Sequence, residues 1–121
     1  MPSYKSFSYA LRGFKTVIKN ERNAQIHLLS AILAVIFGIV FQITKDEFLV
    51  IILAIILVFF AEIINTAIEK TLDLTYQEHN HFVRLVKDIS AAGVLTTAVG
   101  AIVVAIIIYG PHIINLFGIN I

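Results

Sequence analysis

The chain has 121 residues, of which 59% are hydrophobic and only 14% are charged. A water-soluble domain of this length needs a more polar surface, so the composition indicates a single membrane-embedded domain, residues 1–121. The absence of cysteine excludes disulfide bonds and thiolate metal sites. The formal net charge of +1 argues neither for nor against nucleic acid, and we expect no nucleic-acid partner for a membrane protein.

The first predicted element is an amphipathic helix over residues 4–20. Its apolar residues recur at spacings of three and four: Phe7, Leu11, Phe14, Val17 and Ile18. Basic residues take the other faces: Lys5, Arg12, Lys15 and Lys19. A basic amphipathic helix beside membrane spans is typical of a helix that lies in the membrane interface. An ordinary helix packed on protein would show the same periodicity.

Three long apolar stretches follow, at residues 26–44, 47–69 and 89–114. Each approaches the roughly 20 residues with which an α-helix crosses a bilayer. We therefore predict an all-α integral membrane fold with three transmembrane helices. The short TKDE segment between the first two stretches predicts that they are antiparallel neighbours. Pro111 lacks a backbone N–H and is expected to bend or fray the end of the third helix.

The third stretch carries small residues at four-residue steps: Gly93, Thr97, Ala101 and Ala105. Such a stripe lets two helices approach closely. Three helices that bury little of their own surface favour an oligomer, and packing within one bundle is the alternative.

Basic residues are distributed unevenly along the chain. Most lie before the first stretch or between the second and the third: Lys5, Arg12, Lys15, Lys19, Arg22, Lys70, Arg84 and Lys87. Because the cytosolic segments of membrane proteins are enriched in Lys and Arg, we predict a cytosolic N-terminus and a C-terminus outside.

The second stretch carries a row of polar residues, here called the polar line: Glu62, Asn65, Glu69 and Asp73. At the helical rotation of about 100° per residue, these four residues fall within a sector of roughly 80°. The row covers about 16 Å along the helix axis. It begins inside the apolar stretch and ends toward the predicted cytosolic side.

The polar line suggests chemistry because an unpaired carboxylate costs several kcal/mol in apolar surroundings. Glu62, which lies among apolar residues, is the candidate proton acceptor. Glu69 and Asp73 lie nearer to water, and their oxygens suit Mg²⁺ when a substrate supplies phosphate oxygens. Alternatively, Glu69 and Asp73 cap a helix end at the membrane interface and pair with the basic residues near them. His27 opens the first stretch and is interpreted as a group at a helix end.

Lys87 and Asp88 form a charged pair at the start of the third stretch. A lysine here can meet phosphate oxygens as a point charge, or it can serve only as a membrane anchor. The sequence contains no GxxxxGK[ST] loop, no GxGxxG turn and no HRD or DFG pattern. A phosphotransferase built on this chain would therefore belong to none of those architectures.

Two segments of the chain resemble the prokaryotic diacylglycerol kinase family: AEIINTAIEKTLD at residues 61–73 and KDISAAGVL at residues 87–95. The upstream segment YALRGFKTVIKNERNAQIH is also similar to that family. The resemblance implies a homotrimer in the bacterial cytoplasmic membrane, with three membrane helices and a surface helix in each chain. It implies Mg²⁺-dependent transfer of the ATP γ-phosphoryl group to a lipid hydroxyl, at sites between subunits near the cytosolic face.

The resemblance also implies roles for individual residues. Glu62 matches the catalytic base, Asn65 matches the active-site residue beside it, and Glu21 and Glu69 match carboxylates that hold metal with ATP. Further ATP-site positions are matched by Tyr9, Asp73, Glu78, Asn80, Lys87 and Asp88. The chain departs from the family where His79 and Asn80 replace a common Tyr-His pair and where His27 replaces a carboxylate. In its lack of tryptophan and in its ERNAQIH segment, the chain is similar to family members that act on undecaprenol rather than diacylglycerol.

Two other functions are compatible with a membrane glutamate. A small oligomeric proton-coupled transporter would use Glu62 near mid-membrane, reachable from both sides. A non-catalytic scaffold would leave the cost of Glu62 unexplained. The polar line runs toward one side only, and this asymmetry favours an enzyme at the interface.

Overall fold

The computed structural model describes residues 3–76 and 80–118. They form four α-helices, α1 (Ser3–Asn20), α2 (Arg22–Val40), α3 (Lys45–Thr75) and α4 (His81–Leu116). The all-α prediction is confirmed. Helices α2, α3 and α4 are each long and apolar enough to cross a membrane.

The chain turns between α2 and α3 through a left-handed residue. Gln42 has a φ of 53°, and its N–H donates to the Ile39 carbonyl at 3.2 Å. The N–H of Ile43 donates to the Gly38 carbonyl at 3.1 Å. This pair of bonds closes the end of α2 as a Schellman motif, with glutamine where glycine is usual.

Helix α3 begins at once with a capping box. The Thr44 hydroxyl accepts the N–H of Glu47 at 3.1 Å, and the Glu47 carboxylate accepts the N–H of Thr44 at 2.9 Å. These bonds satisfy backbone donors that a helix start leaves free. Because the turn spans only residues 41–44, α2 and α3 run back along each other, as the TKDE segment predicted.

Helices α3 and α4 extend beyond the predicted spans. Helix α3 continues to Thr75, so all of the polar line lies on one helix. Helix α4 starts at His81 because the Asn80 side chain accepts the N–H groups of Phe82 and Val83. It continues through Pro111 to Leu116, so the proline does not end the helix.

A small core lies next to the α2–α3 turn, here called the turn end of the molecule. It consists of Ile43, Ile51, Ile108 and Tyr109. The Tyr109 hydroxyl donates to the Ala34 carbonyl and so joins α4 to α2. Gly38 permits the close contact of α2 with α3, because a Cβ there would lie 2.8 Å from the Phe48 ring.

Helix α1 packs against the C-terminal half of α3, at the opposite end from the turn. The rings of Phe14 and Phe59 lie 6.0 Å apart between centroids, and Val17 is buried. Ala24, in the first turn of α2, is fully buried. Most other apolar side chains of α2, α3 and α4 point outward, as expected of helices that face lipid or other chains.

Candidate active site

The most buried charged side chain in the described chain is Glu62, in the middle of α3. It is 1% exposed, and its Oε2 atom has no hydrogen-bond partner among the described residues. A buried polar atom without a partner costs free energy that a structural role does not explain. The predicted isolation of Glu62 from water is therefore observed, and its carboxyl is available to a ligand.

His27 faces Glu62 from α2. The distance from His27 Nε2 to Glu62 Oε2 is 3.7 Å. The sequence placed His27 at a helix end, and this interpretation is wrong because α2 begins five residues earlier, at Arg22. Glu62 lies one helical turn farther from residues 41–44 than His27 does, so the antiparallel arrangement of α2 and α3 alone does not predict this contact.

The next residue of the polar line, Asn65, is also buried, at 7% exposure. Its Nδ2 donates to Glu69 Oε1 at 3.2 Å, which fixes the two side chains to each other along the helix. The Asn65 Oδ1 atom has no partner in residues 3–76 and 80–118. Asn65 therefore presents an unused acceptor close to Glu62.

Thr66 adds a buried hydroxyl that the sequence analysis did not single out. It is 3% exposed, and its Oγ1 atom has no hydrogen-bond partner within the described ranges. A helical threonine usually bonds to the carbonyl one turn earlier, as Thr71 bonds to Ala67 and Thr75 bonds to Thr71. Sequence alone does not distinguish Thr66 from these two threonines.

Two further carboxylates, Glu21 and Glu69, lie close enough to Glu62 for their charges to act on it. Glu21 occupies the N-cap position of α2, but its side chain makes no capping bond there. Magnesium is commonly held by one or two carboxylates together with substrate phosphate oxygens. Glu21 and Glu69 supply oxygen donors of that type, and no group of three His, Asp or Glu residues in the described chain is placed to hold a metal by itself.

Asp73 and Lys87 form an ion pair between α3 and α4, with Lys87 Nζ donating to Asp73 Oδ1. This is the pairing with a nearby lysine that the sequence left open for Asp73. The Asp73 side chain remains about half exposed, at 53%. The pair thus lies at the water-exposed end of the polar line, and Asp88 is exposed next to it on α4.

The other predicted ATP-site residues are more dispersed. Tyr9 is exposed on α1, with the Arg12 guanidinium 5.6 Å from its ring centre. It lines a groove of about 420 Å³ between α1 and α3 that also contains Thr66 and Lys70. The side-chain oxygen of Asn80 caps α4. The predicted position Glu78 lies outside the described residues.

A second, apolar cavity of about 290 Å³ lies between α2, α3 and α4. His27 and Ser30 contribute its polar groups, and alanine, valine and isoleucine side chains form most of its remaining wall. Because His27 also contacts Glu62, one end of this apolar space adjoins the buried carboxyl.

The chain has three helices able to cross a membrane and a buried carboxyl close to further carboxylates. These features are typical of an enzyme active site in a membrane protein. The family model of the prokaryotic diacylglycerol kinases matches residues 8–109. The chain belongs to that family, as its motifs predicted, and is a lipid kinase. This result favours the enzyme over the proton-coupled transporter.

Two characterised relatives are similar over most of this chain. The undecaprenol kinase of Bacillus subtilis (strain 168) is 34% identical over 110 residues, covering 91% of this chain and 89% of that protein. The diacylglycerol kinase of Synechocystis sp. is 29% identical over 112 residues, covering 92% of this chain and 64% of that protein.

Proposed function

We propose that this protein transfers the γ-phosphoryl group of ATP to the hydroxyl of a membrane lipid at the cytosolic face. The observation that carries the proposal is the buried carboxyl of Glu62, whose Oε2 lacks a hydrogen-bond partner among the described residues. A lipid hydroxyl arriving from the membrane can supply that missing partner.

In the proposed reaction, Glu62 accepts the proton of the lipid hydroxyl. The hydroxyl oxygen forms a bond to the γ-phosphorus, the bond from that phosphorus to the β,γ-bridging oxygen breaks, and ADP leaves. Asn65 follows Glu62 by one helical turn, and its Oδ1, which has no partner among the described residues, can accept a hydrogen bond from a reacting group. Positioning and electrostatics supply most of the acceleration in reactions of this type.

Glu21 and Glu69 would hold Mg²⁺ together with the phosphates of ATP. The bound metal would neutralise charge on the β- and γ-phosphoryl oxygens. Asn65 supports this arrangement because its amide holds the Glu69 carboxylate in place. We assign the remaining nucleotide contacts to the water-exposed end of the polar line and the adjoining helix ends: Tyr9, Asp73, Glu78, Asn80, Lys87 and Asp88.

We propose undecaprenol as the preferred lipid and diacylglycerol as the weaker substrate. The relative named undecaprenol kinase has the higher identity and matches nearly its whole length. A polyprenol is apolar along its entire length apart from the terminal hydroxyl. The apolar cavity that ends at His27 suits a ligand of that chemistry.

We further propose that α1 lies in the cytosolic membrane interface and that the protein is a homotrimer in the bacterial cytoplasmic membrane. Phe7 and Leu11 on α1 are exposed, although they belong to its apolar face. Burial of that face in the interface would remove it from water. The outward apolar faces of α2, α3 and α4 leave surface for neighbouring subunits.

The test is a phosphate-transfer assay on the purified protein in lipid nanodiscs. Undecaprenol and diacylglycerol are offered side by side, with ATP labelled at the γ-phosphate and with Mg²⁺. We expect label in both lipids, with faster transfer to undecaprenol, and no transfer when EDTA removes the metal. If no label enters either lipid from the folded protein, the proposed function is wrong.

A further inference from the structure

The buried position of Glu62 raises the question of how it loses the proton that it accepts. After each phosphoryl transfer the carboxyl is protonated, and it must be ionised again before the next lipid reacts. The side chain of Glu62 is only 2% exposed, so water has little direct access to it. Turnover therefore requires a neighbouring group that can take the proton.

His27 is the one basic side chain of the described ranges in salt-bridge distance of Glu62. Its side chain is 18% exposed, so the imidazole contacts the buried carboxyl and also reaches the surface of the bundle. Imidazole gains and loses protons readily near neutral pH. Glu21 and Glu69 are the other charged groups near Glu62, and both are assigned to the metal.

We propose that His27 is the proton relay that returns Glu62 to its ionised form, an inference that rests on the function proposed above. The O–H bond at Glu62 Oε2 breaks, the proton passes to Nε2 of neutral His27, and the imidazolium then releases it to water. The 3.7 Å separation has to shorten by roughly 0.5–1 Å to reach hydrogen-bond distance. His27 acts through Glu62 and does not itself contact the reacting phosphoryl group.

The molecule contains a matched pair that serves as a control. At the turn end, His112 Nε2 lies 3.9 Å from Glu47 Oε2. This pair has the same residue types as His27 and Glu62 and nearly the same separation. There the Glu47 carboxylate already accepts the N–H of Thr44. His112 is thus a histidine beside a glutamate with a structural role, and its loss should not affect phosphate transfer.

The experiment is chemical rescue. His27→Ala removes the imidazole and leaves a space of matching size beside Glu62, which a small base can occupy. We expect the turnover number for lipid phosphorylation to fall by about 10- to 100-fold. Added imidazole should restore much of it, whereas pyrazole, which has a similar size but is a much weaker base, should not. His112→Ala should keep wild-type turnover and show no response to imidazole.

A second variant separates proton transfer from hydrogen bonding. His27→Gln retains a side-chain N–H that can hold the Glu62 carboxylate, but the amide cannot carry a proton at neutral pH. We expect it to retain wild-type helix content and to be as impaired as His27→Ala. This variant also decides the question if His27→Ala does not fold.

Three results would overturn the relay: turnover of His27→Ala within twofold of wild type, a folded His27→Ala protein that imidazole does not rescue, or near-normal turnover of His27→Gln. In each case wild-type phosphorylation of lipid would still support the proposed function. If the wild-type protein itself phosphorylates no lipid, the proposed function fails and the relay fails with it.

Discussion

Two regions of the helical bundle each hold a histidine close to a glutamate, but the surroundings differ. At the turn end, His112 also stacks on Phe41, with ring centroids 5.7 Å apart, and the Glu47 carboxylate completes a capping box. In the middle of α3, His27 lies 3.7 Å from Glu62, whose Oε2 has no hydrogen-bond partner in the described part of the chain.

This difference separates structural from functional use of the same residue types. At the turn end the Glu47 carboxylate and the Tyr109 hydroxyl bond to backbone groups, so these bonds lower the free energy of the folded chain. Around Glu62 three buried side-chain atoms, on Glu62, Asn65 and Thr66, have no hydrogen-bond partner among the residues that the structure describes. Unsatisfied buried polar groups gathered in one place are expected where a ligand completes the bonding.

The largest expected effect follows substitution of Glu62, with Glu47 as its matched control. Glu62→Gln should keep the helical fold and lower lipid phosphorylation by about 100-fold or more, because the amide cannot accept the hydroxyl proton. Glu47→Gln should leave the rate unchanged, since glutamine also completes a capping box. Both rates are measured by transfer of labelled phosphate from ATP. Equal activity of the two variants would contradict a catalytic role for Glu62 and a structural role for Glu47.

The next effect concerns magnesium. Glu69→Gln should raise the Mg²⁺ concentration for half-maximal activity by about tenfold, because one anionic ligand is lost. The matched variant is Asp46→Asn, which neutralises an exposed carboxylate at the turn end and should leave the magnesium titration unchanged. Activity is measured across a magnesium series at fixed ATP. An unchanged titration for Glu69→Gln would exclude Glu69 as a ligand.

A pair of hydroxyl deletions should change stability in opposite directions. Tyr109→Phe removes the bond to the Ala34 carbonyl and should lower the free energy of unfolding by about 1 kcal/mol. Thr66→Val replaces a buried hydroxyl that has no partner within the described ranges with a methyl group, and it should raise that free energy by about 1 kcal/mol.

Denaturation of wild type and both hydroxyl variants in the same detergent measures these changes in the free energy of unfolding. Activity should be kept in Tyr109→Phe and reduced in Thr66→Val, because only the latter loses a group at the site. A destabilised Thr66→Val protein would mean that its hydroxyl is already satisfied within the fold.

The smallest expected effect lies in the α2–α3 turn. Gln42 adopts a φ of 53°, a conformation that glycine takes at less cost. Gln42→Gly should therefore raise the free energy of unfolding by about 0.5–1 kcal/mol, with no change in phosphate transfer. Thermal unfolding of the variant and of wild type measures this change in stability. A lower melting temperature would show that the Gln42 side chain stabilises the turn.

Features within one helix were predictable from the sequence, whereas contacts between helices were not. Hydrophobic length predicted three helices able to span a membrane, and helical spacing placed Glu62 and Asn65 on one face, where both are buried. The contact of His27 with Glu62 depends on the register between α2 and α3. The extension of α4 back to His81 depends on the cap made by Asn80.

The α2–α3 turn has a consequence for chain length. Gly38 and Phe48 are in tight contact next to the turn, and this contact sets the angular phase of one helix against the other. One residue inserted into α3 between Phe48 and Glu62 would rotate the carboxyl by about 100° around the helix axis. Glu62 would then point away from His27. We therefore expect this stretch to tolerate changes of side chain far better than insertions or deletions.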